Sequence, residues 1–289
     1  VQVLAQDLVK GLSVSRACQH MGMSRQAYYQ GQQRAAARSV QAQAVVQLVR
    51  QRRVRQPRLG TRKLHHLLQE PLKKAGIVLG RDAMFDVLRN AGMLVPTRRA
   101  YHKTTDSHHR LRRHPNLVKH GPEQIKVTGS EQLWVADITY LPTADKFVYL
   151  SLVTDAHSRK IVGWHVHASL QTEEVAQAMK MALRARQTRQ TLVHHSERGI
   201  QYCSTYYQAL HQRHGIQCSM TDGYDCYQNA LAERVNGILK AEFLLARPAD
   251  LDQAKRMVAQ SIQIYNTERP HLSLKMQTPD VVHRASIAG

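Results

Sequence analysis

The spacing of apolar residues changes character near residue 130. Before that point it follows the 3.6-residue period of helices. Val3, Leu4, Leu8 and Val9 mark a first helix, and Ser13 is placed to cap a second over 14–20. After Met21-Gly22-Met23, Ser24 is placed to cap a third helix carrying Arg25, Tyr28 and Tyr29. Helix, short glycine turn and helix is the helix-turn-helix pattern, whose second helix can enter a major groove. A plain helical bundle is the bland alternative. Gly60-Thr61 then opens a helix with Leu64, Leu67 and Leu68 on one side. Another, with Met84, Phe85, Val87 and Leu88, runs between Gly80 and Gly92.

Beyond residue 130 three short runs rich in Val, Ile, Leu and Tyr occupy 133–140, 147–153 and 160–167, with turn residues between them. They predict an antiparallel meander. A helix from Thr172 bearing Val175, Met179, Ala182 and Leu183, a strand over 191–195, a helix over 206–214, a strand over 216–220 and a helix from about Asn229 follow. The order βββαβαβα predicts a mixed sheet with helices on its faces. Helices over 251–265, behind Asp250, and from Thr278-Pro279 close the chain, with a turn over 266–271 between them.

The helix from Asn229 has two distinct faces. Leu231, Val235, Ile238 and Leu239 are apolar, whereas Glu233, Asn236, Gly237 and Lys240 share the opposite side. Glu233 and Lys240 stand two turns apart, too far for an i,i+4 pair, so the polar face suits contact with another molecule.

Charge sharpens the division. Residues 1–128 hold 24 Lys/Arg against 6 Asp/Glu, and residues 129–289 hold 17 against 15, within a formal net charge of +20. A polycationic front half points to nucleic acid, since neutralised phosphates release counterions. No basic amphipathic helix with aromatic residues on its apolar side favours a membrane surface, and no apolar run reaches the ~18 residues of a span. Four scattered cysteines without a CxxC suit a reduced, cytoplasmic protein and exclude a disulfide framework. The chain begins on Val1, which suggests residues missing before it.

These shifts predict five segments: 1–58, a helix-turn-helix and basic connector; 59–95, a second helical DNA-binding unit; 96–129, a basic linker; 130–248, the α/β core; and 249–289, a helical extension. Arg25, Tyr28, Arg62, Lys63 and Arg81 are expected DNA contacts of the helical units. Arg98, Arg99, Arg110, Arg112 and Arg113 are expected contacts of the linker, where like charges disfavour independent packing.

Three acids stand out in the α/β part. Asp137 lies mid-strand, a costly place for a charge. Glu197 follows the fourth strand in His194-His195-Ser196-Glu197-Arg198-Gly199, and Glu233 is on the helix. Strand centre, strand end and helix face can meet at one sheet edge and present hard oxygen donors. Such donors suit Mg2+, with two ions about 4 Å apart able to activate a nucleophile and stabilise a leaving oxygen. Asp155 also ends a strand, but Ala-His-Ser-Arg after it reads more simply as a β-turn. Asp222 and Asp225 fall in a loop and are weaker candidates.

Five motifs in order, Trp134-Val-Ala-Asp137-Ile-Thr-Tyr140, Asp155-x-x-Ser158-Arg159-Lys-Ile-Val-Gly-Trp164, His195-Ser-Glu197-Arg-Gly199-x-Gln-Tyr202, Asn229-Ala-x-Ala-Glu233-x-x-Asn236-Gly-x-Leu-Lys240-x-Glu242 and Tyr265-Asn-x-x-Arg269-Pro270-His271, resemble the DDE transposases of bacterial insertion sequences. The resemblance covers about residues 50–285 and is closest to the second-frame kind with a retroviral-integrase-like core. It implies a ribonuclease-H-like core with a mixed five-stranded sheet, preceded by all-α helix-turn-helix units. It also implies Asp137 and Glu233 as first and last catalytic acids, and Lys240, with Asn236 on the same face, as contacts to terminal DNA. Further implications are terminal inverted repeats and target DNA as partners, a homo-oligomer of at least two copies, a first-frame companion protein, and a place with the bacterial nucleoid. Mg2+, with Mn2+ as a substitute, is the expected cofactor. The family's middle motif reads His-Ser-Asp-Arg-Gly, whereas this chain carries Glu197, the same ligand on a longer arm. Because misplacement of reacting groups by about 1 Å can cost roughly 100-fold, a weakened, binding-only derivative acting as a repressor at the element ends is the alternative reading.

Overall fold

The computed structural model describes residues 13–96, 114–122, 124–222 and 229–288. Residues up to 54 with 59–95 form one unit, and 55–58 with the chain from 96 onward form another.

In the first unit, α1 (Val14–His20) is capped by Ser13, whose Oγ accepts from Arg16 N at 3.3 Å. Gly22, at φ +62°, makes the turn. Ser24 Oγ accepts from Ala27 N at 3.1 Å as α2 (Arg25–Arg55) begins. This helix runs 31 residues and absorbs most of the basic stretch expected as a connector. Its Ala, Gln and Arg content favours helix throughout, and no proline interrupts it. The helix expected over 3–9 lies outside the described residues. α3 (Thr61–Lys74) and α4 (Arg81–Asn90) start behind Gly60 and Gly80 as expected. Leu64, Leu68 and Leu72 of α3, Met84 and Leu88 of α4, and Val45 and Val49 of α2 form the core of this unit.

The second unit is built on a sheet with strand order β3-β2-β1-β4-β5. β1 (Leu133–Pro142), β2 (Phe147–Asp155) and β3 (Ile161–His167) are the antiparallel meander. β4 (Val193–Ser196) runs parallel to β1, and β5 (Gln217–Met220) parallel to β4. β4 pairs only with residues 133–135 of β1, so the far end of β1, including Pro142, needs no partner on that side.

Alternation along the strands supplies two cores. On one face Trp134, Ala136 and Val153 meet Val175, Ala178, Met179 and Ala182 of α5 (Thr172–Ala185), with Tyr202 of α6 (Ile200–Cys203) and Tyr207 of α7 (Thr205–Arg213). Gly163 permits this approach, because a Cβ there would stand 2.0 Å from Ala178 O. On the other face Val148, Leu150, Leu152, Ile161 and Val166 pack on Val235 and Ile238 of α8 (Ala230–Ile238) and on Val258, Ile262 and Tyr265 of α9 (Leu251–Thr267). α9 thus completes the sheet's second layer. This five-stranded mixed sheet covered by helices is the ribonuclease-H-like arrangement.

Part of the segment read as a linker is folded here. Leu117, Val118, Ile125 and Val127 pack against Leu133, Val135, Val193 and Ala232. Leu117 N donates to Ser219 Oγ at 2.9 Å, and Ile125 N to Leu117 O at 2.9 Å. The apolar residues placed among its charges account for the packing. The last helix, α10 (Pro279–Ala288), is held by a Lys160–Asp280 ion pair at 2.8 Å and by Ser286, whose Oγ accepts from Ser130 N at 2.8 Å.

Candidate active site

Asp137 is paired across the sheet with Leu152 and faces α8. Its Oδ1 accepts from Ile138 N at 2.8 Å and its Oδ2 from Asn236 Nδ2 at 2.6 Å. Burial, then the nearby Glu197 carboxylate, push its pKa up to about 7 against those two hydrogen bonds, with Glu233 adding a smaller push. Glu197 follows β4 directly. Glu233, on the first turn of α8, has its pKa raised by burial and then by Glu197. The three carboxylates therefore repel one another not at a sheet edge but beside the junction of the interior strands β1 and β4, where strand centre, strand end and helix face meet. Among the described residues no three His, Cys, Asp or Glu side chains stand at the spacing of a formed metal site.

The support around them is polar and buried. His194, His195 and Ser196 of β4 are fully buried. Ser219 Oγ lies 2.8 Å from His195 Nδ1. Burial, then His211 and His195, hold the His194 pKa well below the usual imidazole range, so its ring is neutral. Asn229, just before α8, donates from Nδ2 to Ala136 O at 3.1 Å and ties the helix start to β1 beside Asp137. Past Ile238 the helix widens into a π-turn, Leu239–Phe243. Such turns cluster at functional sites. Lys240 in this turn is half-buried; burial lowers its pKa while Asp137 works to raise it, so the amine lies within electrostatic reach of the acid.

Two expected contacts are placed differently. Asn236, expected to contact DNA from the polar helix face, is 5% exposed and donates its amide to Asp137. The helix leans on β1 along the edge of its polar stripe, so that stripe is not wholly presented to solvent. Tyr28, expected to face a groove, is 3% exposed, and its hydroxyl accepts from Gln32 Nε2 at 2.8 Å. The apolar demand of the unit's interior takes that ring. Arg25, Arg62 and Arg81 are exposed, with Arg81 Nε 2.8 Å from Asp82, and Lys63 is half-buried. Arg98, Arg99, Arg110, Arg112 and Arg113 lie outside the described residues, as does Asp225.

Asp155 behaves as the turn acceptor. Its Oδ1 accepts from Ser158 N at 2.8 Å and Ser158 Oγ at 2.6 Å, and its Oδ2 from Glu131 N at 2.7 Å. Asp222 pairs with Lys119 at 3.0 Å. The sequence pattern alone does not predict the roles of Asn229 and the π-turn. The signal available was two asparagines seven residues apart on the face that carries Glu233.

The family described as Integrase core domain matches residues 127–226, and a second profile of that description matches 214–279. Over 267 residues the chain is 33% identical to the insertion element IS600 uncharacterized 31 kDa protein of Shigella sonnei, covering 91% of this chain and 95% of that protein. The chain belongs to the DDE transposases of insertion sequences. This transposase is also 34% identical over 178 residues to the putative transposase for insertion sequence element IS986/IS6110 of Mycobacterium tuberculosis (strain CDC 1551 / Oshkosh), covering 60% of the chain and 63% of that protein. The HTLV-2 integrase catalytic core domain in complex with magnesium is similar at 17% identity and a TM-score of 0.45, covering 55% of this chain and 99% of that one. Among the described residues of the transposase no helix is long and apolar enough to cross a membrane.

Proposed function

We propose that this transposase binds the terminal inverted repeats of its element, cuts one strand at each end and joins the freed 3′-hydroxyl to a target phosphodiester. The supporting observation is the convergence of Asp137, Glu197 and Glu233: Asp137 is hydrogen-bonded to Asn236 on the helix that carries Glu233, and burial, then the Glu197 charge, raises Asp137 to about 7 and raises Glu233 as well. Crowded carboxylates cost free energy unless cations share them, and an all-oxygen donor set fits Mg2+, with Mn2+ as a substitute. Two such ions held by these three acids would neutralise the phosphate and activate the attacking water or hydroxyl.

The chain's own residues do the rest. Ile138 N and Asn236 Nδ2 fix the two oxygens of Asp137, so this ligand is positioned before DNA arrives. Lys240 meets the strand's phosphate from the π-turn. The cations of the first unit and of 96–113 supply salt-dependent backbone affinity. Two DNA ends require at least two copies of the chain, and a first-frame companion joins them on DNA in the bacterial cytoplasm.

Labelled end duplexes, with and without Mg2+, test this reading. Glu233→Ala should still shift the duplex in a gel yet yield no nicked or joined product. Cleavage at the unmodified rate would remove Glu233 from the mechanism. The longer arm of Glu197 favours the second reading, a weakened derivative that occupies the ends as a repressor.

A further inference from the structure

The long helix α2 is bare in its middle. Its buried residues are Tyr28 near the start and Val45 and Val49 near the end. Residues 33–41 are all exposed, nine in a row over about 14 Å of helix. So short a stretch is marginal as a helix by itself, and one that is polar all round is commonly held by i,i+4 ion pairs. None can form within this helix. The 31 residues of α2 hold seven Arg and no Asp or Glu, and Arg34 and Arg38 stand one turn apart, an arrangement that repels. Ala35, Ala36 and Ala37 supply helix propensity and the packed ends hold the rod in line, but no acid of α2 answers its charge.

The direction of that charge follows from the helix period. At about 100° per residue, Arg34 and Arg38 each lie about 20° around the axis from Val45, and Gln41 about 40° from it. Val45 and Val49 are buried in one core with α3 and α4. The stripe covered there therefore continues in the open through Gln41, Arg38 and Arg34, and forms an inside corner with the α3–α4 pair. A long polyanion fits such a corner. Duplex DNA carries one negative charge per about 1.7 Å of its axis and complements a straight row of cations. A second copy of α2 would bring the same acid-free surface and repel, and Val40 is the only large apolar residue in 33–41 that could seed a helix pair. We infer that residues 33–41 of α2 lie along the sugar–phosphate backbone of duplex DNA, with Arg34 and Arg38 each neutralising one phosphate and no base being read. The inference rests on the DNA binding proposed above and deepens it: the connector between the helices at the two ends of α2 is itself a contact.

The test measures binding of the full chain to a random-sequence duplex and to an end duplex by fluorescence anisotropy across a range of KCl concentrations. Arg34→Gln with Arg38→Gln keeps good helix formers in place. It should flatten the slope of log K against log salt by about 1.8, or about 0.9 per phosphate, and weaken binding roughly 60-fold at about 0.1 M salt, on both duplexes alike. A damaged fold could also lose affinity, so a gain is measured as well. Gln41 and Gln43 are both exposed. Gln41→Arg adds a cation to the stripe and should steepen the slope by about 0.9. Gln43→Arg adds the same charge on the far side, about 140° from Arg38 and about 180° from Arg34, and should leave the slope unchanged. Equal slopes for the two gains, or an unchanged slope in the double variant, overturn the inference. So does a double variant that loses self-association in sedimentation yet keeps its salt slope, which would assign the stripe to a second copy. An end duplex bound no more tightly than the random one and left uncut in Mg2+ counts against the proposed function, while the slopes on the random duplex still decide the role of α2.

Discussion

Replacing Glu242 by Ala should destabilise the second unit by about 3–5 kcal/mol, the cost of removing one partner from a buried ion pair. Glu242 sits in the π-turn, and its two carboxylate oxygens accept from Arg269 Nε and Nη2, each at 2.7 Å. The Arg269 side chain is 3% exposed and that of Glu242 19%. The guanidinium also lies 3.1 Å from His271 Nε2 and 5.8 Å from the centre of the Tyr265 ring. Neither an imidazole nitrogen nor a ring face replaces a bidentate carboxylate, so the desolvated cation loses its main compensation. The Lys255–Asp252 pair of α9, with side chains 43% and 76% exposed, should by contrast be worth about 0–1 kcal/mol. At about 2–4 °C per kcal/mol for a unit of this size, Glu242→Ala should lower Tm by roughly 6–20 °C. Both tryptophans of the chain, Trp134 and Trp164, lie in β1 and β3, so their fluorescence follows the unfolding of this unit alone. Glu242→Leu with Arg269→Met should recover most of the loss, because no charge is then left buried. A Tm drop for Glu242→Ala no larger than that of Asp252→Ala would refute the reasoning.

Three further outcomes follow from the same geometry. Gly163→Ala should cost about 1–3 kcal/mol or more in urea unfolding, since its Cβ would meet the backbone oxygen of Ala178, which cannot swing aside. Burial works to raise the pKa of Asp155, but the His283 ring 3.9 Å away and hydrogen bonds from Ser158 and from Glu131 N outweigh it and hold the group below the usual carboxylate range. A depressed acid adds stability above its unfolded pKa, about 3.9, and loses it as pH falls through the folded value; Asp155→Asn should therefore lower stability at neutral pH and flatten the acid limb of a stability-pH curve. Glu197→Asp, assayed for strand cleavage in Mg2+, should raise the rate by up to roughly 100-fold. A chain that only binds DNA stays inactive in both forms.

Much of this architecture is legible in one dimension because local signals agree with the fold. The alternating runs became β1 to β3, Ser13 and Ser24 cap where their side chains allow, and Gly60, Gly80 and Gly92 mark helix ends. What was hidden depends on contacts between distant segments. Whether Tyr28 faces a groove or a core is a question of tertiary packing that periodicity cannot answer, since a tyrosine suits both. Asn236 shares a stripe with Glu233 and Lys240, but that stripe spans enough of the helix for one edge to meet β1 and the other to meet solvent. The residues just before 130 look like linker by charge, while the apolar residues that make them part of the second unit are few and find their partners on β1, β4 and α8. The π-turn leaves no mark in composition at all. It shows in the sequence only as a Glu242 whose partner, Arg269, is 27 residues away.

The three acids are held unequally, and that bears on how the site works. Asp137 is fixed on a central strand with both carboxylate oxygens hydrogen-bonded. Glu197 and Glu233 extend from a strand end and a helix turn on longer, freer arms, and each feels the others chiefly through charge. Repulsion keeps such arms apart unless a cation offers both a shared partner, so under the proposed function one preset ligand and two movable ones would close around metal and DNA together. In such a site the extra methylene of Glu197 falls on an arm whose position the scaffold does not dictate. The helix that carries Glu233 is bound to β1 through Asn229 and Asn236, which ties the movable acid to the fixed one and sets the limit on how far the arms must travel.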